Sequence, residues 1–493
     1  MFVGRKKELD SLMELWDKPQ ASLVVCRGRR RIGKSTLVEE FARRSGAAFV
    51  KFEGLAPRDG MSNARQLEAF GRQLGEQTKG VANAPKSWFD AFKALDGRLR
   101  RKNRTVVLFD EISWMGKYDA AFPGELKYAW DNRFRRHPNH VFVLCGSVSS
   151  WIAENIVNST AYFGRISRDL VVGELPPADA AKFWGGRAGR LATREITDVL
   201  AVTGGVPKYL EDVNPALSAE ENIRRLCFRT DGQLFSDFRE IFNSVFGPST
   251  AVKKAVLEAL AGGPKSCAEL AVALRIPRGG TLDRNLKDLE LAGFVARESG
   301  LNPETGRSAR VDRYRLRDNY TRFYLKYIQP NEDQIRRGGF DGISLEGLPD
   351  WNAVMGLQFE SLVLNNVPQL LPALHLERVP VLSASPFRKT DSRTGGCQID
   401  LLLQTRKAVF VVEIKRKDTI GEEAEREVAG KVSRLSIPKG KSVRTALVYD
   451  GRLLPVVKAN DYFDALVDIA SLLALPADPA TPQTTEHAET KLR

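Results

Sequence analysis

Hydrophobic and polar positions fall into three regimes along the chain. Up to about Pro215, short apolar runs alternate with stretches of helical period, as when strands and helices take turns around an open parallel sheet. The segments 22–26, 47–52, 105–110, 140–146 and 169–172 predict five strands, most of them apolar at nearly every position, as strands covered on both faces are. From about Leu217 to Ile328 the pattern turns helical. Segments 251–261, 266–274 and 281–292 predict three short amphipathic helices separated by Gly-Pro and Ile-Pro-Arg-Gly-Gly breaks, with β-like pieces at 294–296 and 311–316. Beyond about Asn331 the central phrase is a hairpin, 398–404 turning into 408–415, with a helix-like 422–435 after it. The last residues, from Pro476, are rich in Pro, Ala and Thr and predict a flexible tail.

Composition narrows the class. A chain of 493 residues exceeds one typical core, and 43% hydrophobic with 28% charged residues is ordinary for a folded globular protein. No apolar run approaches the roughly 20 residues of a membrane-spanning helix, and no apolar core follows the charged start Met1–Glu8, so no membrane partner and a cytoplasmic location are expected. The five cysteines are widely spaced without a C-x-x-C pair, and the four histidines complete no zinc pattern, so reduced structural thiols are expected. A formal charge of +14 permits nucleic-acid binding through phosphate contacts, depending on where the charge sits.

Candidate chemistry begins at Gly28-Arg29-Arg30-Arg31-Ile32-Gly33-Lys34-Ser35, directly after the first strand. Its glycines let successive N–H groups wrap a triphosphate, Lys34 supplies a point charge for the β- and γ-phosphates, and Ser35 offers a hydroxyl to Mg²⁺. Thr36 opens the following helix, whose positive end faces the same phosphates. Arg29, Arg30 and Arg31 add charge near the phosphates, with surface solvation as their default. The third strand ends Phe109-Asp110-Glu111, where ligands of such sheets collect. Asp110 is expected to hold Mg²⁺ through water, and Glu111 to orient the attacking water. The fourth strand ends at Ser147, beside the γ-phosphate if that strand lies between the first and the third. Arg165 could neutralise transition-state charge in cis or from a neighbouring subunit, so a homo-oligomer stays open. ATP and Mg²⁺ are the expected ligands.

These motifs, with the opening Phe2-Val3-Gly4-Arg5-x-x-Glu8-Leu9, Cys145-Gly146-Ser147, Gly164-Arg165 and Gly204-Gly205-Val206-Pro207, resemble the archaeal-type ATPase family within the STAND branch of AAA+-related NTPases. The resemblance covers roughly the first half of the chain. It implies that Gly4 and Arg5 lie near the adenine and that Pro207 touches the nucleotide from a helical lid. Read without the resemblance, Gly204-Gly205 and Pro207 need only be a helix stop and restart.

In the middle regime, three helices and a β-ribbon predict a winged helix-turn-helix, with 281–292 as recognition helix, Arg284 and Lys287 exposed, and Arg307, Arg310 and Arg313 along the wing. The pattern admits both a DNA-gripping face and a structural spacer. In the last regime Asp400 sits on the first strand of the hairpin, and Glu413 and Lys415 project to one face of the second. Two carboxylates converging with a lysine suit phosphodiester hydrolysis, the acids holding Mg²⁺ and the lysine acting on the attacking water. This phrase resembles the PD-(D/E)xK nuclease superfamily. That resemblance makes Glu360, on a helix-like 356–363, its additional acidic residue, and Ile399 stands where a proline is usual. Lys431 reads as a solvated lysine within reach of a phosphate.

The expected architecture is therefore α/β: a P-loop NTPase with a parallel sheet and helical lid at 1–215, a winged-helix segment at 216–330, a restriction-endonuclease-like α/β domain at 331–475 and a tail at 476–493. The expected function is an ATP-hydrolysing switch that controls a Mg²⁺-dependent endonuclease acting on DNA, in defence or the processing of mobile DNA. The rival expectation is an ATP-regulated DNA-binding or scaffold protein whose third domain is catalytically silent.

Overall fold

The structure, a computed structural model, describes residues 2–78, 84–99, 104–147, 150–246, 250–300, 302–305, 307, 312–389 and 396–475. Arg310 and the tail expected at 476–493 lie outside the described residues.

Five parallel strands form the first sheet: β1 (Ser22–Gly28), β2 (Ala48–Glu53), β3 (Thr105–Asp110), β4 (Val141–Ser147) and β5 (Arg168–Val172), in the order β2-β3-β4-β1-β5. All six residues of β3 are buried, which is why its sequence is apolar without alternation. Along β1, β3 and β4, one set of side chains (Val24, Cys26, Leu108, Val143) enters the core shared with the helices that follow the loop. The alternate set (Leu23, Val25, Phe109, Phe142) packs against an aromatic cluster of Phe52, Phe70, Trp88 and Phe92. Because β4 lies between β3 and β1, the condition attached to Ser147 is met: Ser147 stands in register with Gly28.

The core on the first of these faces does not stop at residue 215. It runs without a break through Val199, Tyr209 and Phe238 to Leu282, Tyr320 and Trp351, so the nucleotide-loop sheet and the helical middle of the chain share one interior. In that middle, helices Ala251–Leu260, Cys267–Leu274 and Gly280–Leu291 pack beside an antiparallel three-stranded sheet of β6 (Lys265–Ser266), β7 (Val295–Glu298) and β8 (Arg313–Leu316), ordered β6-β8-β7. Ser266 and Glu269 form a reciprocal cap at the start of the second of those helices. Arg284 and Lys287 are exposed, as expected. Arg313 departs from expectation: its guanidinium donates to the Pro264 carbonyl and lies 3.1 Å from Glu269, so it closes the small sheet onto the cap and is not free to grip phosphate.

A mixed sheet fills the last regime: β9 (Ser383–Lys389), β10 (Cys397–Gln404), β11 (Ala408–Ile420), β12 (Ser442–Leu453) and β13 (Ala465–Asp468), ordered β13-β12-β11-β10-β9. The β10–β11 pair is the expected antiparallel hairpin, and β12 and β13 add parallel strands that the sequence reading had not nominated. Apolar clusters cover both faces, Leu401, Leu403, Val412 and Ile414 on one and Ile399, Val409, Val411 and Leu447 on the other. β11 is thus a central strand, and charged groups within it need partners. Among the described residues no helix is long and apolar enough to cross a membrane, and all five cysteines are free.

Candidate functional sites

The first site is built by the turn from β1 into helix Lys34–Ser45. Gly33, at φ 84°, occupies the left-handed region that a glycine adopts without strain, and from there the chain enters the helix. The first N–H groups of the helix have no intrahelical partner, which makes this terminus a place for phosphate. A cavity of about 590 Å³ opens over it, walled by Phe2, Arg5, Arg30 to Thr36, Glu111, Leu175, Phe183, Pro207 and Lys208 among others. Ile32, Gly33, Lys34, Ser35, Thr36 and Pro207 all line this cavity.

Ser35 Oγ donates to Asp110 Oδ2 at 2.6 Å, so the loop hydroxyl and the carboxylate from β3 already share one point. Both are hard oxygen donors, the kind Mg²⁺ takes beside phosphate oxygens, and in this respect the residues fit that ion. Lys51, which the sequence reading had passed over, sits 3.3 Å from the same Asp110 oxygen. Lys34 is 7% exposed and donates to the Arg29 carbonyl at 3.0 Å. Glu111 lies at φ 49°, a strained setting for a side chain of its size, and its buried Oε2 has no hydrogen-bond partner among the described residues. Burial pushes its carboxyl above the ordinary value, against the pull of Lys34 and Arg30.

Other expected residues are placed differently. Arg5 donates to the Ile32 carbonyl at 2.9 Å and so holds the loop backbone as well as lining the cavity, while Gly4 packs against Asp179 outside the wall. Arg29 is neither solvated nor in the cavity: it is buried, 2.5 Å from Asp318, with the Phe294 ring under its guanidinium. Arg31 pairs with Asp237. Arg30 and Arg31 both line the cavity, but of the two Arg30 has no carboxylate partner among the described residues, and its guanidinium lies over the Trp114 ring at 5.0 Å. Ser147 lies beside the loop but outside the cavity wall. Arg165 is removed from the site as an in-cis group: both its Nε and Nη2 donate to Asp131, at 2.7 and 3.0 Å. Gly204 and Gly205 are more than a helix stop. A Cβ at Gly205 would collide with the Leu175 carbonyl, and Leu175 N–H donates to Gly205 O at 2.7 Å, which docks the turn before Pro207 against the end of the first sheet.

The second site is a cavity of about 670 Å³ between helix Trp351–Asn365, β10, β11 and helix Glu423–Ser433. It brings together all four expected residues, Glu360, Asp400, Glu413 and Lys415, with Arg416, Glu427 and Lys431 beside them. Lys431 corrects the reading of it as solvated: its ammonium lies 2.5 Å from Glu413 Oε2, while Lys415 lies 2.7 Å from Glu413 Oε1. Asp400 accepts from the Ile414 N–H at 2.9 Å. Burial, then the charge of Glu360, raises the Asp400 carboxyl to about 6, and burial also raises Glu413 and Glu360. Burial works against the charges of Lys415 and Lys431, but Glu413 and Glu427, joined at Lys431 by Asp400, outweigh it and hold both above the usual lysine range. The oxygen donors suit Mg²⁺ in kind, although both Glu413 oxygens carry an ammonium, and among the described residues no group of three or more His, Cys, Asp or Glu surrounds a metal position.

The loop, its β3 carboxylates and the parallel sheet define the first site as that of a P-loop ATPase. Residues 2–213 match the family described as an ATPase domain predominantly from Archaea. It is similar to an uncharacterised protein of Methanocaldococcus jannaschii, 24% identical over 422 residues that cover 85% of this chain and 88% of the relative. An uncharacterised ATP-binding protein of Pyrococcus abyssi is 22% identical over 290 residues, 51% of this chain and 83% of the relative. Among solved structures, a Walker-type ATPase of Pyrococcus abyssi superposes at a TM-score of 0.47 with 17% identity, over 66% of this chain and 96% of the other.

Proposed function

We propose that this ATPase is a switch whose nucleotide site, at 1–215, governs a phosphodiester-cleaving site at 331–475, with the segment 216–330 acting as a winged helix that presents DNA. The observation that carries the reading is the meeting of Glu360, Asp400, Glu413 and Lys415 in one cavity on central strands, where buried charge is costly unless it has a use. In the first site, Lys34 and the loop N–H groups hold the phosphates, and Ser35 and Asp110 hold Mg²⁺, which would neutralise charge on the β- and γ-phosphates. Glu111 orients the attacking water. In the second site, Asp400 and Glu413 are the metal-binding carboxylates of a PD-(D/E)xK-like fold, Lys415 acts on the attacking water, and the exposed Arg426 and Arg434 face the entering phosphodiester strand.

The test is plasmid nicking with Mg²⁺ or Mn²⁺ in the presence of ATP, of ADP and of neither. Cleavage abolished by Asp400→Ala, with ATP binding retained, supports the switch. Absence of cleavage in every nucleotide state overturns the nuclease reading. The second reading, a DNA-binding or scaffold protein with a silent third domain, is favoured by one observation: Glu413 has an ammonium on each oxygen, a closed ion-pair cluster of the sort that also serves folding.

A further inference from the structure

Hydrolysis at the first site develops negative charge on the γ-phosphoryl oxygens, and a cation beyond the loop lysine normally meets it. Arg165 is held by Asp131 and does not supply that cation within its own chain. The cations in the cavity wall can be accounted for one by one. Arg5 is spent on the Ile32 carbonyl and Glu8, Arg31 on Asp237, and Lys208 on Glu211 at 3.2 Å. Lys34 belongs to the phosphates already. Arg30 remains. Among the described residues no carboxylate lies within ion-pair distance of it, and its guanidinium rests on the face of Trp114, three residues beyond Glu111.

Local chain geometry explains this selection. Arg29 is drawn out of the cavity by Asp318, and Arg31, though in the wall, is held by Asp237, which fixes the loop on both sides of Arg30 and leaves the middle arginine in the cavity wall it shares with Glu111. Glu111 Oε2 is buried with no hydrogen-bond partner among the described residues, on the same cavity wall as Arg30. A guanidinium stacked on an indole is held weakly, whereas its bidentate hydrogen bonds to phosphate oxygens are strong, so transfer from one to the other is downhill once a triphosphate is bound.

We propose that Arg30 is the transition-state cation of this ATPase, built into the phosphate loop itself: it leaves Trp114 and donates to the γ-phosphoryl oxygens as hydrolysis proceeds. Water oxygen forms the new bond to the γ-phosphorus as the bond to the β–γ bridging oxygen breaks, and that electron pair leaves on ADP. One water proton passes to Glu111, giving ADP and inorganic phosphate. The proposal rests on Glu111 as the water-orienting carboxylate, and the two fail separately in the experiment below.

The experiment compares the full-length wild type with Arg30→Ala, Arg30→Lys, Trp114→Phe, Arg165→Ala and Glu111→Gln by steady-state phosphate release, by affinity for ADP and for ADP–aluminium fluoride, and by tryptophan emission. For Arg30→Ala, kcat is expected to fall roughly 10²- to 10³-fold, with Arg30→Lys between it and wild type. ADP affinity is expected to stay within about threefold, while the extra affinity for the aluminium fluoride complex is lost. Binding of that complex should shift emission in wild type but not in Arg30→Ala or Trp114→Phe. Arg165→Ala is expected to turn over as wild type. The proposal is overturned if Arg30→Ala keeps kcat and the analogue affinity within about threefold, or if Arg165→Ala is the variant that loses both. An unimpaired Glu111→Gln removes the role given to Glu111 and leaves the Arg30 comparison to be read on its own.

Discussion

Arg29 and Asp318 stand 289 positions apart in sequence and meet at 2.5 Å, with side chains 8% and 2% exposed. One belongs to the phosphate loop. The other caps helix Asn319–Phe323, where its second oxygen also accepts from the Thr321 N–H at 3.1 Å. Burial works against the Arg29 charge, and the Asp318 carboxylate outweighs it, so the guanidinium is held above its ordinary value. With Arg31 on Asp237, the loop that cradles phosphate is clamped at two points to the middle of the chain.

Removing one partner of such a pair leaves a buried charge alone. Asp318→Asn is therefore expected to destabilise the protein by about 3 to 5 kcal/mol in urea denaturation. Arg29→Met combined with Asp318→Asn should recover much of that loss, because replacing both charges removes the desolvation problem. A double variant as unstable as Asp318→Asn alone would show that the cap, not the ion pair, carries the effect.

The two halves of the nucleotide site should separate cleanly. Lys34→Ala removes the point charge toward the phosphates and is expected to weaken ATP binding at least tenfold by calorimetry. Glu111→Gln keeps the shape of the side chain and should bind ATP near wild-type affinity while phosphate release falls roughly 10²- to 10⁴-fold. A Glu111→Gln variant that turned over normally would remove the water-orienting role from that residue.

The Asp400 carboxyl titrates near 6 in the folded protein, above its ordinary value, because burial and Glu360 disfavour its charge. The folded state therefore holds an extra proton between about pH 4 and 6. The stability contribution of this group is complete below the unfolded value and is lost as pH rises through about 6. Asp400→Asn should accordingly stabilise the chain by roughly 1 to 3 kcal/mol at pH 7.5, with the gain shrinking toward pH 4.5 in thermal melts. Mn²⁺ binding to wild type, which needs the ionised carboxylate, should weaken as pH falls through about 6. A pH-independent difference between the two proteins would contradict this account.

Sequence made some of this plain for physical reasons. Strands such as Thr105–Asp110 are buried on both faces, so they read as unbroken apolar runs with firm ends, and Gly33, Lys34 and Ser35 act through backbone and spacing that sequence carries directly. Asp400, Glu413 and Lys415 were legible because a two-residue spacing on a strand fixes a shared face. What sequence hid was pairing over distance. Nothing near Arg29 or Arg165 in the chain announces Asp318 or Asp131. Lys431 looked like one more charge on a helix surface, and its i,i+4 partner, the exposed Glu427, fits that picture as well. β12 was missed because its polar residues mask a buried middle, Thr445 to Asp450, whose burial depends on β11 and β13 beside it.

Helix Thr193–Thr203 lies between the two sites and is tied to both. At its end the chain passes through Gly204-Gly205 to Pro207, which walls the nucleotide cavity. On its side, Asp198 pairs with Arg416, the neighbour of Lys415 on β11, and Arg194 pairs with Asp418 and donates to the Asp450 carbonyl at 3.1 Å. Arg416 is 7% exposed and Asp198 18%, so the link is buried enough to transmit a displacement of the helix to the strand. Asp198 itself lines neither cavity, and in Asp198→Asn its partner Arg416, in the wall of the second, keeps Asp450 at 3.6 Å. The variant's ATP turnover, and any cleavage seen without nucleotide, are expected to stay within about twofold of wild type, whereas the ATP-dependent change in hydrogen exchange along 408–420 should disappear. If that change persisted in Asp198→Asn, the coupling would have to run through Arg29 and Asp318 instead, and Asp318→Asn combined with Arg29→Met would be the variant to lose it.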